Sequence, residues 1–261
     1  LICLCGNKPL SDYTRQDALQ FRDWLVARGL TGSSITRNFS YLKAVINFAL
    51  SEYALDVRNP FVGVYHDRSA GVLVRKPIPI DDIRNIQSEC RAIDDDMRWL
   101  IALISDTGMR LAEGAGLLKQ DFIGLDTDHP YVCVTKHPWR NLKTVSSERK
   151  IPLVGEALWA ARHIVETDAA SDFAFPRYNK TSPTAANSAS AALNKWLKQY
   201  VPDGCTMHSF RHSMRDRLRA VQCPADITDQ IGGWTTDGIG HGYGSGYPMD
   251  VLAEWLKKCN F

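Results

Sequence analysis

The sequence predicts a mainly α-helical protein with a small antiparallel β-sheet, in which a helical first domain precedes an α+β second domain. Between Asp12 and Leu50, apolar residues recur every three or four positions, which is typical of the buried face of a helix. Two β-type segments, residues 131–135 and 149–153, bracket a polar stretch that indicates a long hairpin connection. Residues 74–79 contain two prolines and are typical of a stiff linker between domains.

The first domain is predicted to span residues 1–76 and to be basic. It carries 10 Lys and Arg against 6 Asp and Glu, although the whole chain has a net charge of only +2. Its first helix is predicted to end at Arg28 and Gly29, and Ser33 or Ser34 to cap the second. Arg37 and Lys43 then lie on the outward face of the second helix, either as contacts to a polyanion or as an ordinary solvated surface.

The second domain is predicted to span residues 77–261. One helix begins near Asp81 and another covers residues 98–104, and a helical segment loosened by glycines follows Gly108. Helices return after Gly155. Residues 249–258 predict a short amphipathic helix, which either packs on its own domain or docks on a neighbouring protomer.

Composition excludes several classes of protein. The chain is 44% hydrophobic and 23% charged, as in globular proteins, and no apolar run approaches the length of a membrane span. Seven scattered cysteines without CxxC spacing favour reduced thiols in a cytoplasmic protein, so we predict no structural metal and no cofactor. The chain begins at Leu1 without a leader-like segment, which indicates a fragment.

The residues that carry chemistry lie at separated positions. His208 and Arg211 are three apart and project from one helix face, where a guanidinium can grip phosphate oxygens and an imidazole can move a proton. Arg110 opens a helix after a glycine turn, and Glu113 one turn later can brace it. Either pair alone is equally consistent with an ordinary helix surface.

Taken together, these motifs resemble the tyrosine recombinase (phage integrase) family. The matching order is Arg110 with Glu113, Lys143 in the hairpin connection, His208-x-x-Arg211, Trp234 and Tyr243. Trp234 follows Arg211 by 23 residues, and Tyr243 follows Trp234 by nine. The resemblance covers residues 77–261 through its motifs, and residues 10–70 more weakly as a helical core-binding domain that clamps DNA.

The resemblance implies a site-specific recombinase that cleaves and rejoins DNA through a covalent 3′-phosphotyrosine, without metal or ATP. Arg110 and Arg211 neutralise the scissile phosphate, Lys143 protonates the leaving oxygen, His208 acts as base or hydrogen-bond partner, and Tyr243 is the nucleophile. Trp234 stands where many members have histidine, and its indole N–H can donate a hydrogen bond but cannot shuttle a proton. A phenol has a pKa of about 10, so the nucleophile needs such a cationic setting at neutral pH.

The implied partners are double-stranded DNA, a homotetramer formed on it from free monomers, and accessory DNA-bending proteins. The gene then belongs to a bacterium or phage, and the enzyme acts on the chromosome. Basic residues in the hairpin connection and the second strand, among them Arg140 and Arg149, are further candidates for DNA contacts.

Alternatives stay open at this point for two of the residue roles and for the function. Tyr247 is a second candidate nucleophile, and His212 or His241 can contribute an imidazole. A type IB topoisomerase shares the chemistry but relaxes DNA without choosing a sequence, and a catalytically silent relative binds DNA without cleaving it. A phosphoryl-transfer enzyme acting on small molecules is the least favoured alternative, because no phosphate-cradling Gly-rich motif accompanies the two arginines.

Overall fold

The computed structural model confirms the predicted fold class: a mainly helical chain with one small antiparallel sheet. It describes residues 1–72, 75–167, 170–234 and 246–260. The chain divides into two compact units, Leu1–Val74 and Arg75–Phe261. The DNA-clamping role of the first domain and the catalytic role of the second stay predictions. Within the described ranges, no helix is both long enough and apolar enough to cross a membrane.

The first unit is built on two long helices. Its helices are α1 (Ile2–Cys5), α2 (Arg15–Ala27) and α3 (Gly32–Glu52). Thr14 begins α2 through a capping box with Asp17. Thr31, not Ser33 or Ser34, caps α3, because its hydroxyl accepts a hydrogen bond from the backbone amide of Ser34 at 3.3 Å. The core of this unit is formed by Ala18, Phe21, Leu25, Ile35, Phe39, Ile46 and Phe61.

The second unit surrounds the buried helix α5. Its helices are α4 (Ile80–Ile93), α5 (Asp96–Thr107), α6 (Leu111–Ala115), α7 (Gly155–Glu166), α8 (Ala186–Leu197), α9 (Ser209–Ala220), α10 (Ala225–Gly232) and α11 (Met249–Cys259). Every residue of α5 from Leu100 to Thr107 is buried, and helices α4, α6, α7 and α9 pack around it. This helix is therefore the rigid support for the segment that follows it.

The sheet has three strands in the order β1 (Phe122–Ile123), β2 (Tyr131–Val134) and β3 (Arg149–Pro152). Strands β2 and β3 are antiparallel, with Tyr131 opposite Pro152 and Val134 opposite Arg149. The predicted hairpin thus forms, and residues 135–148 connect its strands. The two-residue strand β1 is too short for sequence periodicity to reveal.

Helix α11 packs on its own unit. Leu252 and Leu256 are fully buried, and the helix lies against β3 and α9. The guanidinium of Arg217 on α9 donates two hydrogen bonds to the Cys259 carbonyl, at 3.1 and 2.9 Å, and one to Asp106 at 3.0 Å. Of the two interpretations left open by the sequence, packing in cis is the arrangement present in the free chain.

We expect Gly108→Ala to lower the free energy of unfolding by about 1–3 kcal/mol more than Gly204→Ala does. Both glycines have a positive φ, +60° and +88°, so both substitutions strain the backbone. Only at Gly108 would the added Cβ crowd a neighbour, at 2.9 Å from the Met214 side chain, whereas nothing lies within 4 Å at Gly204. Urea denaturation of the two variants tests this, and equal losses would contradict it.

Candidate active site

Arg110 lies at the start of α6, two residues after Gly108, whose left-handed conformation ends α5. Its Nη1 atom donates hydrogen bonds to Glu113 Oε1 at 2.6 Å and to Ser147 Oγ at 2.9 Å. About a fifth of the side chain, 21%, remains exposed. The predicted Arg110–Glu113 pair is present, and it holds the guanidinium in place while part of it faces solvent.

Glu113 is the anionic centre of the site and is buried. Its Oε2 atom accepts hydrogen bonds from the Arg110 backbone amide at 2.9 Å and from Arg149 Nη2 at 3.0 Å. Burial by itself raises the pKa of this carboxyl, but the charge of Arg149 and the hydrogen bonds from Arg149 and Arg110 outweigh burial, so the pKa is lowered. Glu113 is therefore ionised at neutral pH.

Arg140 and Arg149 are internal residues, which corrects their interpretation as DNA contacts. The Arg140 side chain is 1% exposed and donates to the carbonyls of Thr135 and Glu113. The Arg149 side chain is 3% exposed; besides Glu113 it binds the carbonyls of Ile231 and Ser147. All of these donors point inward, so both arginines position the site and neither faces a duplex.

Arg211 is the second arginine of the site, and it lies on α9. It is 4% exposed, and Nη1 donates to the Gly108 carbonyl at 2.9 Å. Its Cζ lies 4.3 Å from the centroid of the Trp234 ring, which also lies under Arg215 at 4.9 Å. Arg211 forms no ion pair with any residue that the structure describes. Burial and the charges of Arg110 and Arg149 lower its pKa to about 9.

A guanidinium that is buried without a carboxylate, beside other cations, has a large unmet demand for negative charge. The carbonyl oxygens of Gly108 and Gly233 satisfy donors of Arg211 but bring no charge. Both arginines are positioned by the turn at Gly108. Arg110 follows this turn in sequence, and Arg211 donates a hydrogen bond to the Gly108 carbonyl. The geometry is therefore that of an anion-binding site.

His208 lies at the N-terminal end of α9, three residues before Arg211. Its ring lies edge-on to that of the exposed His212, with centroids 5.3 Å apart. Burial, followed by the charges of Arg75, His212, Arg211 and Arg110, lowers the pKa of His208 to about 4. In the free protein this imidazole is therefore neutral at pH 7 and can accept a proton or a hydrogen bond.

We expect the pKa of His208 to make the protein less stable in mild acid. An unfolded histidine binds a proton near pH 6.5, whereas folded His208 does so only near pH 4, so the free energy of unfolding falls as the pH drops from 6.5 to 4. The His208→Gln variant should lose less stability over that window. Urea denaturation at pH 7 and pH 5 measures the difference, and His129→Gln, at an exposed histidine, is the control. An equal fall in the free energy of unfolding between pH 7 and pH 5 in wild type and His208→Gln would contradict the prediction.

Lys143 is exposed in the β2–β3 connection. The adjacent Thr144 bonds Ser147 through its backbone amide, at 3.3 Å, and its hydroxyl, at 2.9 Å. Ser147 in turn accepts from Arg110, so the segment that carries Lys143 is tied to the site by one serine. Sequence reasoning missed Ser147, because a serine in a polar loop gives no signal until its partners are known.

The remaining predicted residues belong to other segments of the chain, and some of them lie outside the described residues. Tyr243 and His241 lie outside the described residues. Tyr247 is 40% exposed, and its backbone is paired with the side chain of Gln230 in both directions, at 2.8 and 3.0 Å. Arg37, which is exposed, and Lys43, which is half-buried, belong to α3 in the first unit. Among the described residues, no group of three or more His, Cys, Asp or Glu could hold a metal ion.

The helical α+β fold and the arginine-rich anion site fit the class of DNA strand-exchanging enzymes. The model of the phage integrase family matches residues 78–244, so the chain belongs to that family and the resemblance found in the sequence is confirmed. The chain is 25% identical to the tyrosine recombinase XerC of Salmonella typhi over 225 residues, covering 84% of this chain and 72% of that protein.

Solved structures show the same fold. The Tn1549 transposon integrase (residues 82–397) in complex with circular intermediate DNA has a TM-score of 0.64 at 18% identity, covering 91% of this chain and 86% of that one. A lambda integrase tetramer bound to a Holliday junction has a TM-score of 0.61 at 17% identity. The match covers 89% of this chain and 67% of the lambda integrase chain. At these identities the likeness establishes the fold alone.

Proposed function

We propose that this protein is a site-specific recombinase that cleaves and rejoins DNA strands through a covalent 3′-phosphotyrosine intermediate. The observation that carries the proposal is Arg211, buried at 4% exposure without a carboxylate partner among the described residues, beside the solvent-facing Arg110. Such a pair fits a phosphodiester, because guanidinium groups bind its two non-bridging oxygens and stabilise the added charge of the transition state.

In the proposed cleavage step, the Tyr243 phenol attacks the scissile phosphorus and gives up its proton. The new bond is a 3′-phosphotyrosyl ester, and the bond to the 5′ oxygen breaks. Lys143 gives that oxygen a proton, and His208, neutral in the free protein, takes up or hydrogen-bonds the phenolic proton. Rejoining is the same step in reverse with the 5′-hydroxyl of the partner strand.

The proposed reaction exchanges one phosphate ester for another, so it requires no ATP. Two arginines and a lysine supply the positive charge that metal ions supply in many nucleases, and the proposed steps include no metal. We further propose that the partner is double-stranded DNA, that four copies assemble on it, and that accessory DNA-bending proteins assist. The lambda integrase tetramer bound to a Holliday junction supports the assembly by analogy of fold. The proposed site of action is the chromosome, in the cytoplasm.

The test is a trapped-adduct assay. The protein is incubated in EDTA with sheared DNA from the host of its gene and stopped with SDS, and the protein-linked fragments are sequenced. We expect a 3′-linked adduct at one sequence, lost in Tyr243→Phe and kept in Tyr247→Phe. If the adduct is lost only in Tyr247→Phe, the nucleophile is Tyr247 and not Tyr243. An adduct without sequence preference would favour a topoisomerase, and DNA binding without an adduct would favour a catalytically silent relative.

A further inference from the structure

A cavity of about 550 Å³ opens in the second unit, between the start of α5, the end of α7 and residues 173–180. Its volume is within the range of ligand-binding pockets. It lies at the Asp96 end of α5, whereas Arg110 follows the other end, about 17 Å away at the rise of an α-helix. This α5–α7 cavity is therefore separate from the arginine site.

The wall of the α5–α7 cavity is apolar and preformed. It is lined by Trp99, Ile164, Phe173 and Pro176. The Trp99 indole is fixed by a hydrogen bond from its Nε1 to Asp94 Oδ1 at 2.7 Å. Phe173 is fixed by an edge-to-face contact with Trp139, with the ring centroids 5.2 Å apart. A wall held in this way can accept a large apolar side chain without rearranging.

The rim of the cavity is cationic. Among the described lining residues, three are cationic, Lys119, Arg177 and Lys180, and one is a carboxylate, Asp96. Arg177 binds both oxygens of Asp96, at 2.9 Å each, so this pair is neutral. Lys119 donates to the Thr167 carbonyl at 2.6 Å, and neither lysine forms an ion pair within the described part of the chain. Among the residues that the structure describes, these two positive charges at the mouth therefore have no carboxylate partner.

We propose that the α5–α7 cavity binds a short acidic segment of a partner protein, with one large apolar side chain in the cavity and carboxylates at Lys119 and Lys180. Apolar anchors surrounded by charged rims are typical of protein–protein contacts. A DNA backbone fits this surface less well, because phosphates gain nothing from the apolar wall of Trp99 and Phe173. The proposal does not depend on the recombinase chemistry.

The test selects peptides from a random phage-displayed library on the intact protein and measures synthetic copies by fluorescence polarisation. We expect the selected peptides to share an aromatic or large aliphatic residue flanked by Asp or Glu. Their Kd should rise at least tenfold in Lys180→Glu and in Phe173→Ala. It should stay within twofold in Lys198→Glu, a matched charge reversal at an exposed lysine outside the cavity.

Two results would overturn the proposal. One is selection of peptides without the acidic and apolar pattern, or of peptides whose Kd is unchanged in Lys180→Glu. The other is displacement of the peptide by a 30-base-pair duplex whose own binding weakens in Lys180→Glu, which would make the cavity part of a DNA surface. Lys180 is exposed, so its variant stays informative even if Phe173→Ala loosens the packing around Trp139.

Discussion

Replacing Arg211 with lysine is expected to lower the rate of DNA cleavage by about 100-fold or more, the usual loss when one oriented donor to a developing charge is removed. The guanidinium is oriented by the Gly108 carbonyl and by the face of Trp234. An ammonium is a point charge that cannot stack on the ring and bind a phosphate in a fork at the same time.

Single-turnover cleavage of the DNA recovered from the trapped adduct measures this loss. Arg219→Lys is the matched control, because Arg219 lies on the same helix but is exposed, with a surface ion pair to Asp216. We expect the control to cleave within twofold of wild type. If Arg211→Lys lowers the cleavage rate by less than tenfold, this position supplies positive charge and the orientation of the guanidinium does not matter.

Replacing Glu113 with glutamine is expected to lower the free energy of unfolding by about 3 kcal/mol or more. Glutamine keeps the shape of the side chain but removes the only carboxylate that pairs with Arg149 among the described residues, and it leaves that guanidinium buried and uncompensated. It also weakens the bond that holds Arg110.

Urea denaturation at pH 7 tests this prediction, with Glu148→Gln as the control. Glu148 precedes Arg149 in sequence and is exposed, so Glu148→Gln removes the same charge from the surface. We expect the control to change stability by about 0.5 kcal/mol or less. A loss below about 1 kcal/mol in Glu113→Gln would mean that the backbone carbonyls around Arg149 suffice to hold it.

Local patterns predicted much of the fold. Helical spacing located α2, α3 and α11, and β-type alternation located the hairpin of β2 and β3, because these signals depend on neighbours within a few residues. The pairing of Arg110 with Glu113 was predictable for the same reason, since the two residues are one helical turn apart.

Contacts between distant parts of the chain were not predictable. Arg149 was interpreted as a surface charge, but its partners include the Ile231 carbonyl, 82 residues away. Arg140 lies in a basic polar run that has the composition of an exposed loop, yet it folds back onto α6. The stacking of Arg211 on Trp234 likewise depends on how α9 meets the end of α10. A charge in the sequence gives no sign of whether its partner is water, phosphate or a buried carbonyl.

The bonds from Arg217 to the end of α11 have a consequence for local unfolding. A terminal helix held only by apolar contacts can fray residue by residue, and its amide hydrogens then exchange at graded rates. Here the carbonyl of Cys259 and the side chain of Asn260 are fixed by a guanidinium that also binds Asp106 on α5. Fraying from that end would take the Cys259 and Asn260 acceptors away from a buried guanidinium, so the amides of α11 should exchange together, at one rate set by detachment of the whole helix.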